Sequence, residues 1–329
     1  MKIDVFPHIY PPKFREAATK AMGRPEPDLD AMRTLYDLDY RFKIMDKHPE
    51  VVHVLNAVGG VDERVIGKEK ANNLCKAAND EMVELIDKYP TYFVAAVARL
   101  PMYDMDATMK EVERCIEQLN MKGILVNTSV HGKPLDSPEF MPLWEKMAEY
   151  NLPILIHPWR GPNVPDYPTE QASKYMVWSV WGWPYETTVA MTRLVFSGVF
   201  DRFPNLKFVT HHAGAMVSFL EKRIIGYWDY VEFRLKKNYR KHLKRPLVEY
   251  FKMFYNDTAI YGSTPGLKCA HSFFGTEHLL FGTDFPFDSF EGERYTRETI
   301  ESIENMGLSD ADKKKIYEEN VRNIFRLPL

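Results

Sequence analysis

Apolar and polar positions divide this chain into short apolar runs and longer amphipathic stretches. Residues 2–9 form the first strand candidate, with Asp4, Phe6 and His8 on one face because strand side chains alternate. Further strands are predicted at 51–58, 92–98, 123–127, 153–157, 206–212, 251–258 and 278–283. Helical spacing marks 68–88, where Leu74, Ala77, Ala78, Met82 and Leu85 share one stripe. Helices are also predicted over 105–120, 138–150, 187–199 and from 216 into the 230s. Residues 10–50 are rich in Pro, Arg, Lys and Asp and weakly periodic; they read as a loop with short helices, a lid or substrate wall over the strand mouth. Strands alternating with helices predict an α/β fold with a parallel sheet, and eight such units predict a closed (β/α)8 TIM barrel, with an insertion after strand one. The competitor, an open doubly wound sheet, favours a glycine-rich phosphate loop after its first strand, and none stands there.

The length of 329 residues suits one barrel, so residues 1–329 are read as a single domain with 10–50 as its insertion. A formal net charge of -3 gives no pull toward nucleic acid or an anionic membrane, and neither is an expected partner. No apolar run approaches the ~20 residues of a membrane span. The opening Met1-Lys2-Ile3-Asp4-Val5 does not read as a signal peptide. Cys75, Cys115 and Cys269 are far apart and odd in number, which argues against a disulfide framework and for a cytoplasmic protein. The basic run within 234–245 fits a nucleic-acid patch or a solvated helix face, and the acidic balance elsewhere favours the second.

Candidate chemistry gathers at strand ends. The run Leu279-Leu280-Phe281 opens as a buried strand and breaks at Gly282-Thr283-Asp284. A carboxylate at such a mouth is costly unless a cation or several donors meet it. Asp284 alone could equally cap the next helix. However, His8, His157 and His212 also end strand candidates, and a barrel brings its C-terminal strand ends together. Imidazoles with a carboxylate are ligands for zinc and similar ions, which polarise a substrate oxygen or activate water.

The motifs that carry a resemblance are Ile3-Asp4-Val5-Phe6-Pro7-His8, Leu155-Ile156-His157-Pro158, Gly182-Trp183-Pro184-Tyr185-Glu186-Thr187-Thr188, Ser197 to Pro204, Thr210-His211-His212-Ala213-Gly214 and Phe281-Gly282-Thr283-Asp284-Phe285-Pro286. In this order they resemble the amidohydrolase superfamily, in the branch of aminocarboxymuconate-semialdehyde decarboxylase and the hydroxybenzoate decarboxylases, over nearly the whole chain. The resemblance implies a distorted (β/α)8 barrel, a homodimer and one divalent metal ion. It implies that His8, His157 and Asp284 are metal ligands. It implies that His212 is an acid/base residue beside them, taken in preference to His211 from its spacing to Ser218-Phe219. Arg223 falls where the decarboxylase has an arginine that reaches a neighbouring subunit's substrate.

The chain departs from that pattern at Phe6, where the family has His or Glu. Asp4 cannot take over, because four residues of strand put it about 13 Å below His8. Three ligands with open positions still suffice for a catalytic zinc ion, and manganese, iron or cobalt also fit the set. The expected activity is non-oxidative decarboxylation of a small hydroxylated aromatic or muconate-like acid, with His212 and Asp284 as catalytic residues. Arg99, Arg160 or Arg223 could hold the carboxylate, Trp159 or Trp181 could stack on a ring, and Phe6 is a further candidate substrate contact. The alternatives are metal-dependent hydrolysis of an ester, lactone or amide, and a non-catalytic partner subunit.

Overall fold

The computed structural model describes residues 1–60 and 62–328. Strand one is β1 (Lys2–Asp4) and β2 (His8–Ile9), both parallel to β3 (Val51–Ala57). Strand three is β4 (Phe93–Ala96) on β3 and β5 (Ala98–Arg99) on β6 (Ile124–Asn127), so the chain changes partner at Val97. After a small hairpin of β7 (Ser129–Val130) and β8 (Lys133–Pro134), the parallel ladder continues through β9 (Pro153–His157), β10 (Lys207–Thr210) and β11 (Tyr255–Asn256). Residues 279–285 lie between β11 and strand one: Leu280 N–H donates to Asn256 at 2.9 Å, Val5 N–H to Phe281 at 3.0 Å and His8 N–H to Phe285 at 2.6 Å. These bonds lead from the last strand position back to the first, which is the order of a (β/α)8 barrel.

Three predicted strands are less regular than their sequence suggests; the seventh, predicted over 251–258, begins where helix Leu247–Phe251 ends and pairs only over Tyr255–Asn256. Strand one breaks over Val5-Phe6-Pro7, where Pro7 has no N–H to offer and Phe6 N–H turns to the Asp4 carboxylate at 3.0 Å. The eighth has a single bridge, Asn256 to Leu279. Beyond it side chains replace ladder partners: Gly282 N–H donates to Thr258 Oγ1 at 3.0 Å and Thr283 N–H to Asp4 at 3.2 Å. The predicted basic helix over 234–245 is absent. Lys236 takes a left-handed backbone there, and Arg240 turns to Asp229 and Glu232 of the preceding helix.

The barrel axis is filled by Ile3, Val5, Val52, Val54, Ala95, Val97, Leu155, Val209 and Leu280, with Val321, Ile324 and Phe325 against them. Alternate residues of the same strands, such as Leu55, Ala96, Ile154, Ile156 and Phe208, join the outer core with the helices. Helix Lys68–Lys88 buries Leu74, Ala78, Met82 and Leu85 as its spacing predicts, with Ala71 and Cys75 beside them, but Ala77, expected on the same stripe, is exposed because it falls on the solvent side of the turn. Within 10–50, helix Pro12–Met22 packs on that helix, and helix Leu38–Met45 carries Arg41 inward. The C-terminal strand ends are left to hold polar side chains.

Candidate metal and acid/base site

Each site residue is set by its strand end. His8 opens β2, its N–H bonded to Phe285 and its carbonyl accepting from Arg41 at 2.8 Å. His157 closes β9; its Nδ1 donates to the Pro158 carbonyl at 2.8 Å, which leaves Nε2 with a free lone pair. His211 and His212 follow β10, where the chain turns and His212 takes φ 59°. Asp284, at φ 64°, follows the irregular eighth segment.

These residues converge. One ring nitrogen from each of His8, His157 and His211 lies within 4.8 Å of the other two, and His211, His212 and Asp284 form a second such group. Asp284 Oδ1 stands 3.2 Å from His8 Nε2 and 3.3 Å from His211 Nε2. Both nitrogens lie off the angle a hydrogen bond needs, so each is buried without a hydrogen-bond partner. Asp284 Oδ2 is 4.0 Å from His212 Nε2 and accepts from the Tyr261 hydroxyl at 3.0 Å. His211 Nδ1 donates to Asp257, whose other oxygen accepts from Ala213 and Ala259 N–H.

Burial penalises the charged Asp284 carboxylate, yet the rings of His211, His212 and His8 overcome it and hold its pKa well below the usual range. Burial also opposes charge on His211, but the carboxylates of Asp257 and Asp284 outweigh it and push that ring up to about 10. Burial lowers His8 against the pull of Asp284. It lowers His157 further, with His8 and His211 adding to it, and it lowers His212 with help from His211. The neutral imidazoles of His8 and His157 beside the anionic Asp284 carboxylate form a donor set that fits a divalent cation, while His211 is held as a charged ring.

The remaining predicted residues are distributed differently. Phe6 is fully buried at the top of the barrel axis, its ring stacked on His211 at 4.2 Å and 13°. Asp4 is buried beneath, bonded to Phe6 and Thr283 N–H. Arg160 pairs with Glu186 at 3.1 Å. Trp159 is 57% exposed and Trp181 66%. Arg223 stands exposed over Tyr227, 5.5 Å from its ring centre. Trp183 is the tryptophan against the histidines: it meets His157 edge-on at 5.8 Å and lies parallel to His212 at 6.5 Å. Its indole N–H donates to the Arg160 carbonyl at 3.1 Å.

Asp257 could have been found by the same strand-end reasoning, since it closes the predicted strand 251–258. For His211 the available signal was its place beside His212. Tyr261 and Arg41 have no local signal, because a tyrosine in a loop and an arginine in a charged segment read as surface.

A (β/α)8 barrel with histidines and a carboxylate meeting at its C-terminal mouth is the architecture of metal-dependent barrel enzymes. The amidohydrolase family model matches residues 3–327, and the chain belongs to that family. It is 31% identical over 312 residues to gamma-resorcylate decarboxylase of Polaromonas sp. strain JS666, covering 92% of each chain. Among solved structures, it resembles 2,6-dihydroxybenzoate decarboxylase from Rhizobium with a TM-score of 0.81 and 27% identity, covering 99% of this chain and 98% of that one. It also resembles dihydroxybenzoic acid decarboxylase from Polaromonas sp. JS666 with bound manganese and the inhibitor 2-nitroresorcinol, with a TM-score of 0.76 and 27% identity, covering 99% of this chain and 96% of that one.

Proposed function

We propose that this protein is a metal-dependent, non-oxidative decarboxylase of a small hydroxylated aromatic acid. The observation that carries the reading is the convergence of His8 and His157 on His211, and of His211 and His212 on Asp284, with Asp284 Oδ1 3.2 Å from His8 Nε2. His8, His157 and Asp284 would hold the ion, with His211 beside them. The imidazole-rich set favours zinc, and the relative from Polaromonas holds manganese. A bound divalent ion supplies positive charge to the substrate's carboxylate and neighbouring oxygen.

The chain's own residues do the rest. In the reaction the carbon–carboxylate bond breaks, CO2 leaves and the ring carbon gains one proton. His212, held neutral at rest by burial and by the charged ring of His211, would take up a proton from water at the barrel mouth and pass it to that carbon. Asp257 fixes the His211 ring through Nδ1. Trp183 offers a flat wall beside His157 and His212 for the substrate ring. Phe6, buried against His211, shapes the floor and excludes water.

The protein works in the cytoplasm as a homodimer. Phe219, 81% exposed, precedes helix Glu221–Phe233, which carries the exposed Tyr227, Tyr230 and Phe233 (66%). A second copy covering that surface would also enclose Arg223, which could then meet a substrate carboxylate.

The test is CO2 release from a panel of hydroxybenzoates by protein loaded with Zn2+ or Mn2+, beside a His157→Ala variant. The expected result is CO2 release by the wild type and loss of both activity and stoichiometric metal in the variant. Release of an acid from esters or lactones, with no CO2 from any hydroxybenzoate, would turn the assignment to the hydrolase chemistry.

A further inference from the structure

Tyr261 lies in the loop after β11, a segment with no motif of its own. Its backbone is left-handed, at φ 54°, like that of His212 (59°) and Asp284 (64°), whose side chains it meets. A non-glycine residue is strained there and persists where its surroundings hold it, often at functional sites.

Three contacts hold this loop. The Tyr261 ring stacks on Tyr295 at 4.2 Å and 23°. Gly262, at φ 79°, runs against helix Glu293–Glu304 so closely that a Cβ would meet Glu298 Cβ at 2.7 Å. Thr258 Oγ1 donates to the Gly282 carbonyl and accepts from the Gly282 N–H, both at 3.0 Å, which ties the loop to the segment bearing Asp284. The hydroxyl at the end of this braced ring donates to Asp284 Oδ2 at 3.0 Å. The two carboxylate oxygens are therefore divided. Oδ1 faces His8 and His211, while Oδ2 faces Tyr261 and, further off, His212.

We propose that Tyr261 is a positioning residue of the metal centre, its hydroxyl holding Asp284 Oδ2 aside so that Oδ1 is presented among the histidines. This rests on the reading of His8, His157 and Asp284 as metal ligands. A carboxylate free to rotate would lose that fixed presentation. Partners that orient a ligand in this way change metal affinity by about 10–100-fold when removed.

The experiment compares wild type with Tyr261→Phe, which keeps the stacked ring and removes only the hydroxyl. Mn2+ affinity is measured by competition with a chelating indicator, the visible spectrum is recorded with Co2+ bound, and the melting temperature is taken without metal. The expected result is a roughly 10–100-fold weaker Mn2+ affinity, an altered Co2+ band and an unchanged metal-free melting temperature. Affinity within twofold of wild type overturns the proposal. So does a loss of affinity matched by a fall in the metal-free melting temperature, which would mark a merely structural role. A wild type that binds neither Mn2+ nor Zn2+ overturns the ligand reading and this proposal together. Metal binding without CO2 release removes only the decarboxylase reading and leaves the role of Tyr261 supported by its own affinity result.

Discussion

Replacing Asp4 with asparagine is expected to remove a pH dependence of stability that the wild type carries between about pH 4 and 7. The Asp4 carboxyl is fully buried, and burial raises its pKa from 3.8 to about 7, against the hydrogen bonds it receives from Thr283 and Phe6. In the unfolded chain the same group releases its proton near 3.8. Between these values the folded protein keeps a proton that the unfolded chain has lost, so stability falls as pH rises. The contribution is fully present below the unfolded value and is lost once pH passes the folded one. About three pH units at ~1.4 kcal/mol each give about 4 kcal/mol. Asparagine keeps the geometry: its carbonyl can accept from the Phe6 and Thr283 N–H groups, and its amide can donate to the Thr283 hydroxyl. The assay is urea unfolding of the metal-free proteins at pH 5, 6 and 7, since metal binding is itself linked to protons. The stability difference between wild type and variant should change by about 1 kcal/mol or more per pH unit between pH 5 and 6. Curves that stay parallel to within about 0.5 kcal/mol would show Asp4 ionised in the fold and refute the argument from burial.

Two further substitutions probe the surroundings of the site. Arg41→Met should cost about 2–4 kcal/mol in denaturant unfolding, because it leaves the His8 carbonyl and His53 Nδ1 buried without the guanidinium that bonds both. Stability within about 0.5 kcal/mol of wild type would show that those groups find other partners. Trp183→Leu should raise KM for a hydroxybenzoate roughly fivefold, from about 1 kcal/mol of lost ring contact, with little change in melting temperature. An unchanged KM would move the substrate ring away from this wall.

Much of the frame was legible in the residues. Apolar runs bounded by turns mark the eight strand positions, and Pro153–His157 and Lys68–Lys88 have the bounds that their periodicity predicts. These are local properties, since a strand or helix buries one face and the spacing of its apolar residues records which face that is. The strand-end rule also pointed to His8, His157, His212 and Asp284, which the fold gathers around His211, because a barrel of parallel strands leaves polar side chains one common place to meet.

Closure of the barrel decided the rest. Strand one and residues 279–285 depart from regular strands because Asp4 bonds across the ring to Thr283, and Thr258 bonds to Gly282, partners 279 and 24 residues away in sequence. Arg41 lies in a charged segment, yet it is buried under β2 and the Asp284 loop, where it meets carbonyls and Phe285. Which face His211 and His212 present depends on the left-handed turn at His212, which no alternation pattern contains. Trp183 and Tyr261 come to the site from a helix start and a loop on either side of His212. Sequence alone therefore determined the elements and the polar ends of the strands, through spacing along one chain. The tertiary structure determined which oxygen faces which ring, because that depends on distances between residues that the chain itself holds far apart.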